Sequence, residues 1–392
     1  MRSVYADLHV HIGRASGRPV KITASRSLTL ANLLNETALR KGLNMVGIVD
    51  AGTTPVLAEL EKMVEQGQLD IHRRGGFITR QGVMLLAGCE VESREGVHII
   101  IYLPDLDSLH KYQKYMRTRV KNMELSTQRC KAGIRELLNL SHVLGGVFCP
   151  AHAFTPHKGF YGMLSASFQS YLGRDASQIR VLELGLSADT DMADTINETR
   201  HFTFLSNSDA HSADNVGREY NLLRLAELSF EEFRQAVYGQ EGRRVMANYG
   251  MDPLMGKYHR SYCPQCDLIM QEEPPVVICP VCGSDKLVMG VYDRIVQIQD
   301  HPDPVHPVGR PPYHYRVPLT SLPGVGPSTY QKLIRFLGNE IEVIEKASFD
   351  DIARIAGEKV AALVIQMRAG RIPITPGGGG VYGKIQAHNS DQ

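Results

Sequence analysis

The feature that most constrains this chain is the way its apolar runs end. Over residues 1 to about 245, short apolar runs alternate with amphipathic stretches: "LNMVGIVD" (43–50), "VMLLAGCEV" (83–91), "VHIIIYL" (97–103), "LGGVFCPAH" (144–152), "IRVLELGL" (179–186) and "FTFLSNSDAH" (202–211). Helix-like segments lie between several of them, as in "TLANLLNETALRKG", where Gly42 supplies a stop. That alternation predicts an α/β domain of a length that suits a barrel. The runs deliver Asp50, Glu90, His152, Asp209 and His211 at their ends, while His98 opens its own run. In α/β barrels the reactive groups gather at the C-terminal rim of the strands, so these side chains are expected to meet.

The N-terminal run "MRSVYADLHVHIG" adds Asp7, His9 and His11 on alternate positions. Alternate side chains of a strand share a face, which makes this triplet a convergent set of carboxylate and imidazole groups. His9, His11, Asp50, Glu90, His98, His152, Asp209 and His211, with Asp7 beside them, are more ligands than one ion needs. Two or three divalent ions sharing carboxylates follow, and paired ions suit hydrolysis of a phosphoester. Within this set Glu90, Asp209 and His211 are the candidate catalytic groups. Mixed imidazole and carboxylate donors favour Zn²⁺ and Mn²⁺, with Mg²⁺ as a further candidate for activity.

Around residue 250 the texture changes. "CPQC" (263–266) and "CPVC" (279–282) are separated by 12 residues, the spacing of a Cys₄ zinc ribbon, and Cys263, Cys266, Cys279 and Cys282 are its four ligands. Four thiolates leave no open position, so this zinc is expected to be structural. Cys89, Cys130 and Cys149 are scattered and read as small buried apolar residues. A proline-rich stretch, "HPDPVHPVGRPPYHY" (301–315), reads as a linker. Beyond it "LTSLPGVGPSTYQKLIRFLG" reads as turn, glycine hairpin and helix, and "FDDIARIAGEKVAALVIQMRAG" repeats the theme. Three parts are therefore expected: 1–245, 246–300 and 301–392, the last with a glycine-rich tail, "PITPGGGGVYGKI".

A net charge of +1 gives no general argument for a nucleic-acid partner, so a basic footprint must be local. The segment 110–136 carries Lys111, Lys114, Arg117, Arg119, Lys121, Arg129, Lys131 and Arg135 with Tyr112 and Tyr115 interleaved, a pattern suited to a phosphate backbone. No apolar run reaches the length of a membrane span and no secretory pattern opens the chain, so a cytoplasmic protein without a membrane partner is expected.

His9-Val-His11, Asp50, Glu90 with His98, His152 within "PAHAFTP" and Asp209-Ala-His211 together resemble the polymerase and histidinol phosphatase (PHP) family. The resemblance implies a distorted (β/α)₇ barrel that holds three metals at its mouth and hydrolyses phosphoesters. Here Ala51 follows the second-motif Asp50, where many members have a histidine, which leaves the third metal site to Asp50, His157 or another residue. "LPGVGP" (322–327) is similar to the helix-hairpin-helix element of DNA repair proteins, in which Gly324, Gly326 and the nearby Lys332 would meet a phosphate. The order of PHP domain, "GKYHRSYC" ribbon and hairpin, with "AHAFTPHKGFYG" (151–162), resembles the endonuclease Q family. That resemblance implies incision of DNA 5′ of deaminated bases (uracil, hypoxanthine, xanthine) or abasic sites, with replication or repair proteins as candidate partners. His157, Lys158, Phe160 and Tyr161 are the expected substrate contacts, on a loop beside the metals that would receive a nucleotide turned out of the stack. A three-part chain with its own DNA-holding element can work as a monomer. The alternatives are a small-molecule phosphatase of the histidinol-phosphatase type and a non-catalytic DNA-binding protein.

Overall fold

The computed structural model describes residues 1–386. Seven strands form a distorted ring: β1 (Arg2–Val10), β2 (Met45–Ile48), β3 (Met84–Glu92), β4 (His98–Leu103), β5 (Val147–Pro150), β6 (Val181–Glu183) and β7 (Thr203–Leu205). β1, β2 and β3 pair in parallel, β4 runs antiparallel to both β3 and β5, and β6 pairs in parallel with β7. The ladder is interrupted on either side of the β6–β7 pair. Single backbone contacts bridge the gaps: Ala153 N–H donates to Glu183 O at 2.9 Å, and His11 N–H donates to Ala210 O at 2.9 Å. The antiparallel β4 explains one oddity of the sequence. A strand of reversed direction brings its first residue to the rim where its neighbours bring their last, so His98 at the start of its run meets Glu90 near the end of another.

β8 (Tyr220–Leu225) pairs antiparallel to β1 and carries the sheet outward to β9 (Arg244–Gly250). Alternate residues of all seven ring strands, among them Leu8, Met45, Leu86, Ile100, Cys149 and Leu205, are buried together inside the ring. The intervening residues face outward against the helices, including Thr54–Glu65, Leu106–Met116 and Ile134–Val143. Cys89, Cys130 and Cys149 are buried thiols, as expected. The segment Leu30–Lys41 is helical with a wider central turn, and Gly42 at φ +88° ends it in the left-handed conformation that glycine adopts without strain.

Two expectations need correction. The proline-rich stretch is not a bare linker: Tyr313–Tyr315 pairs in parallel with Asn248–Gly250 as strand β10, and Arg310 makes a two-pronged contact with the buried Asp194 at 2.7 and 2.8 Å. Prolines that cannot donate to a ladder still suit an edge strap held by its side chains. The basic segment 110–136 does not set both of its tyrosines beside a phosphate backbone as expected. It leaves the helix after Met116, forms an extended loop, and re-enters helix at Ile134. Tyr112 is buried in the core, which takes it away from any nucleic acid, and Arg119 lies 3.7 Å over the Tyr115 ring.

The C-terminal region packs four helices, Pro327–Leu337, Glu340–Glu345, Phe349–Ala356 and Glu358–Arg368, around a core of its own that includes Leu319, Leu333, Val343, Ile352 and Val364. It docks on the first domain through a buried ion pair, Lys41 Nζ to Glu340 Oε2 at 2.7 Å. Gly324 has φ +87°, and Gly326 precedes the first helix with open space where a Cβ would stand. Lys332 is exposed on that helix. Among the described residues no helix is long and apolar enough to cross a membrane.

Candidate metal centre

β1 ends at the rim, and its side chains on one face are spaced by about 6.6 Å per pair of residues. A bulge between Asp7 and Val10 puts Leu8 inside the ring but Val10 outside it, so the triplet does not all reach the mouth. His9 and His11 do, with ring centres 5.2 Å apart. Asp7 does not: on the other face, its carboxylate accepts from Ser208 N–H at 3.1 Å, Ser208 Oγ at 2.6 Å and Gly217 N–H at 2.8 Å, which pins the loop that carries Asp209.

Three overlapping groups of ligand atoms result: His9, His11 and Glu90; Glu90, His98 and His152; His11, Asp209 and His211. Glu90 is shared by the first two. Its Oε1 stands 3.1 Å from His98 Nδ1, 3.5 Å from His9 Nε2 and 3.7 Å from His152 Nε2, while Oε2 stands 3.4 Å from His11 Nε2. Asp209 Oδ1 is 3.4 Å from His9 Nε2 and 3.5 Å from His11 Nε2. Two ligands each about 2.1 Å from one ion at a tetrahedral angle stand about 3.4 Å apart. His9 Nε2 is moreover buried without a hydrogen-bond partner. A buried imidazole nitrogen aimed between two carboxylates at that spacing fits a divalent cation.

The other ring nitrogen of three of these imidazoles is held. His9 Nδ1 meets both oxygens of Glu183 at 3.0 and 3.1 Å, His11 Nδ1 meets Asp50 Oδ1 at 2.9 Å, and His152 Nδ1 meets Thr155 Oγ1 at 3.1 Å. Such partners fix the ring orientation of a ligating histidine. Asp50 is fully engaged behind His11: it also accepts from Ser126 Oγ and from Ile12 N–H, and it stands outside the three groups. His152 and Asp209 have φ of +31° and +46°, left-handed backbone that costs a non-glycine residue of order 1–3 kcal/mol. Strain of this kind persists where the surrounding structure over-determines it, and here it aims two ligands inward.

The electrostatics follow from crowding. Burial works against the charged form of Glu90, but His98 and Lys21 beside it hold its carboxyl well below the usual range. Burial likewise opposes the charge on Asp209, and His9 and His11 overcome it. Burial disfavours the charged form of His9, yet Glu183, Asp209 and Glu90 raise it to about 10. Burial, His11 and Lys21 push His211 down to about 4.

The groups form the floor of a cavity of about 360 Å³, whose wall includes His157, Lys158, Lys257, Tyr258 and Tyr382. His157 and Lys158 thus stand where the sequence placed them. Phe160 and Tyr161 do not. Both are fully buried, Phe160 stacked on Phe168 at 3.6 Å and Tyr161 donating its hydroxyl to Glu198 at 2.7 Å, so they anchor the loop from below. Glu183 was missed, although it stands within an apolar run as the other site carboxylates do. Lys21, whose Nζ stands 3.4 Å from Glu90 and 2.6 Å from Thr127 Oγ1, had no sequence signal.

In the ribbon, the four thiols lie within 4.8 Å of one another, with Cys263 and Cys282 at 3.7 Å and Cys266 and Cys279 at 3.9 Å. Sulfurs at about 2.3 Å from a tetrahedral zinc stand about 3.8 Å apart, so the donors fit that ion.

No family model matches the chain. The chain is 40% identical over 399 residues to the uncharacterized protein YqxK of Bacillus subtilis, spanning 98% of this chain and 100% of that protein. The crystal structure of the lesion-specific endonuclease PfuEndoQ from Pyrococcus furiosus superposes with a TM-score of 0.85 at 32% identity, over 99% of this chain and 96% of that one. The chain belongs to the endonuclease Q family. A second structure of endonuclease Q, in complex with a 27-mer duplex substrate with an abasic lesion at its active site, superposes with a TM-score of 0.86 at 32% identity. The likeness spans nearly the whole chain, so the endonuclease Q fold covers the ring, the cysteine cluster and the C-terminal helices together.

Proposed function

We propose that this protein is a metal-dependent DNA repair endonuclease that hydrolyses the phosphodiester on the 5′ side of a deaminated base or an abasic site. The observation that carries the reading is the convergence of three ligand groups, sharing Glu90 and His11, on the floor of a cavity that is open to a large substrate and walled by lysines and aromatics. His9, His11, Glu90, His98, His152, Asp209 and His211 would hold the metals, with Asp50 and Glu183 orienting His11 and His9. Divalent ions in these places supply a water nucleophile at neutral pH and offset phosphate charge. Lys21 and Lys158 add positive charge beside the floor, and His211 completes the third ligand group.

The glycine turn at 322–326, its helix N-terminus and Lys332 would hold backbone phosphates away from the cut, which carries no sequence information and suits a lesion reader. The exposed Lys111, Lys114, Arg117 and Lys121 extend such a track along the surface. The deaminated-base preference rests on the family likeness and on the cavity, which is roomy enough for a nucleotide turned out of the stack.

The test uses end-labelled duplexes with one uracil, one hypoxanthine, one abasic site or none, with Mg²⁺, Mn²⁺ or Zn²⁺. A single cut 5′ of the lesion, absent from the undamaged duplex, is expected. Uniform degradation would remove the lesion-reading part, and no cutting under any metal would overturn the proposal.

A further inference from the structure

The glycine-rich tail supplies no candidate metal ligand and packs only Ile374 and Ile385 against the helical core, yet it is built into the mouth of the cavity. Ile374–Thr375 pairs antiparallel with Lys384–Ile385, and the loop between them lies along the segment that leads into the cysteine ribbon. Gly377 N–H donates to Leu254 O at 2.7 Å, Gly380 N–H to Lys257 O at 3.0 Å, and Gly383 N–H to Met255 O at 2.9 Å. The glycines are what permit this. A Cβ on Gly383 would stand 2.6 Å from Thr375 O and 2.9 Å from Met255 Cα, closer than real Cβ atoms come.

The result is that Tyr382 projects at the rim of the metal-bearing cavity, 37% exposed. Its ring is flanked by two cations: Lys257 Nζ lies 5.5 Å from the ring centre and Arg218 Cζ lies 5.6 Å from it. Arg218 Nη1 also donates to the Tyr382 hydroxyl at 3.4 Å, and its Nε donates to Ser208 O at 2.8 Å, one residue from Asp209. Lys257 lies between Tyr382 and Tyr258, 5.2 Å from the second ring. An exposed aromatic face between cations, over a cavity that ends in phosphoester chemistry, has the composition of a nucleotide-stacking platform: a π-face for the base and positive charge for the phosphates beside it.

We propose that this C-terminal hairpin is the outer wall of the nucleotide pocket, and that Tyr382 is a specificity-determining residue that stacks on the base of the nucleotide turned into the cavity. The proposal rests on the endonuclease reading above and adds a discriminating consequence. A uracil nucleotide offers a base to stack on and an abasic one does not. Tyr382 therefore favours base-bearing lesions over abasic sites.

The experiment compares the full-length wild type with Tyr382→Ala and Tyr382→Phe on two duplexes that differ only in carrying uracil or an abasic site at one position. Steady-state kcat and KM are read with metal, Kd is read in an Asp209→Ala background that does not cut, and thermal melting checks the fold. In Tyr382→Ala the ratio of uracil to abasic kcat/KM falls about ten-fold, through KM, with the same fall in the Kd ratio. Tyr382→Phe, which keeps the ring, restores both ratios to near wild type. An equal loss on both duplexes, or no change in either ratio, overturns the proposal, and so does a Phe variant as impaired as Ala. Failure of the wild type to cut either duplex counts against the endonuclease reading instead, and the Kd ratio still decides the stacking.

Discussion

The ring mouth and the cysteine cluster are both candidate sets of metal ligands, and they are assembled in opposite ways. The ligands at the mouth come from five strands or strand ends between His9 and His211, whereas the four cysteines lie within 263–282. Three of the imidazoles, His9, His11 and His152, are braced from behind by Glu183, Asp50 and Thr155, and the set faces a cavity. The thiols face one another, at distances that leave room for one ion and nothing else. The mouth is thus a site that the fold makes and the metal then uses. In the cysteine cluster a bound metal would make the fold, as in other small thiolate modules.

The strongest way to break that comparison is to remove one ligand from each. Asp209→Ala should lower incision by of order 10³-fold or more while lesion DNA still binds and the melting curve keeps its main transition, because the ring is held by its own core. Cys279→Ala should do the reverse in kind. Metal content drops by one ion, and protease cuts within 256–290 become fast, before the ring opens. Near-wild-type incision by Asp209→Ala, or an intact ribbon in Cys279→Ala, would mean that the roles are wrongly divided.

A second test reaches the bracing. Asp50→Asn keeps the size of the side chain but removes the charge behind His11, so metal affinity at the mouth should fall about 10–100-fold, read by titration with Mn²⁺. Incision should recover at high metal concentration. If affinity is unchanged, Asp50 serves only to hold Ile12 and Ser126 in place. Loss that no metal concentration restores would instead return Asp50 to the ligand set.

Much of this was legible in the sequence, for a physical reason. Apolar runs that end in His, Asp or Glu fix both the strands and the rim at which they stop, so the seven mouth ligands could be named from their positions. Paired cysteines at ribbon spacing are equally local. What escaped depends on register and on depth. Asp7 precedes a bulge in β1 that turns His9 and His11 to the inner face and leaves Asp7 on the other. Phe160 and Tyr161 follow His157 and Lys158 in the chain, yet the wider helical turn they begin sends them into the core. Lys21 and Tyr382 reach the mouth from loops whose paths are set by tertiary contacts, and no local pattern carries that information. The left-handed backbone of His152 and Asp209 is of the same kind.

The smallest effect separates the two regions by charge. Behind the histidines of the mouth the fold gathers further carboxylates, and Glu219 lies among them: its Oε1 accepts from Met251 N–H at 2.9 Å, while Oε2 is buried without a partner. Burial first, with Glu183 and Asp7 adding like charge, raises Glu219 from 4.5 to about 8, so the folded protein keeps it protonated at neutral pH. In the unfolded chain it ionises near 4.5. The folded pKa lies above the unfolded one, so the associated stability is fully present below about pH 4.5 and is lost as pH rises towards 8. Glu219→Gln has no proton to hold, and the stability of wild type relative to this variant should fall by up to about 1.4 kcal/mol per pH unit across that window. Urea melts of both proteins at pH 5, 6.5 and 8 measure it. Parallel pH dependence of the two would mean that Glu219 is already ionised in the fold, and that the carboxylates behind the mouth are balanced by more positive charge than Lys21 and the histidines supply.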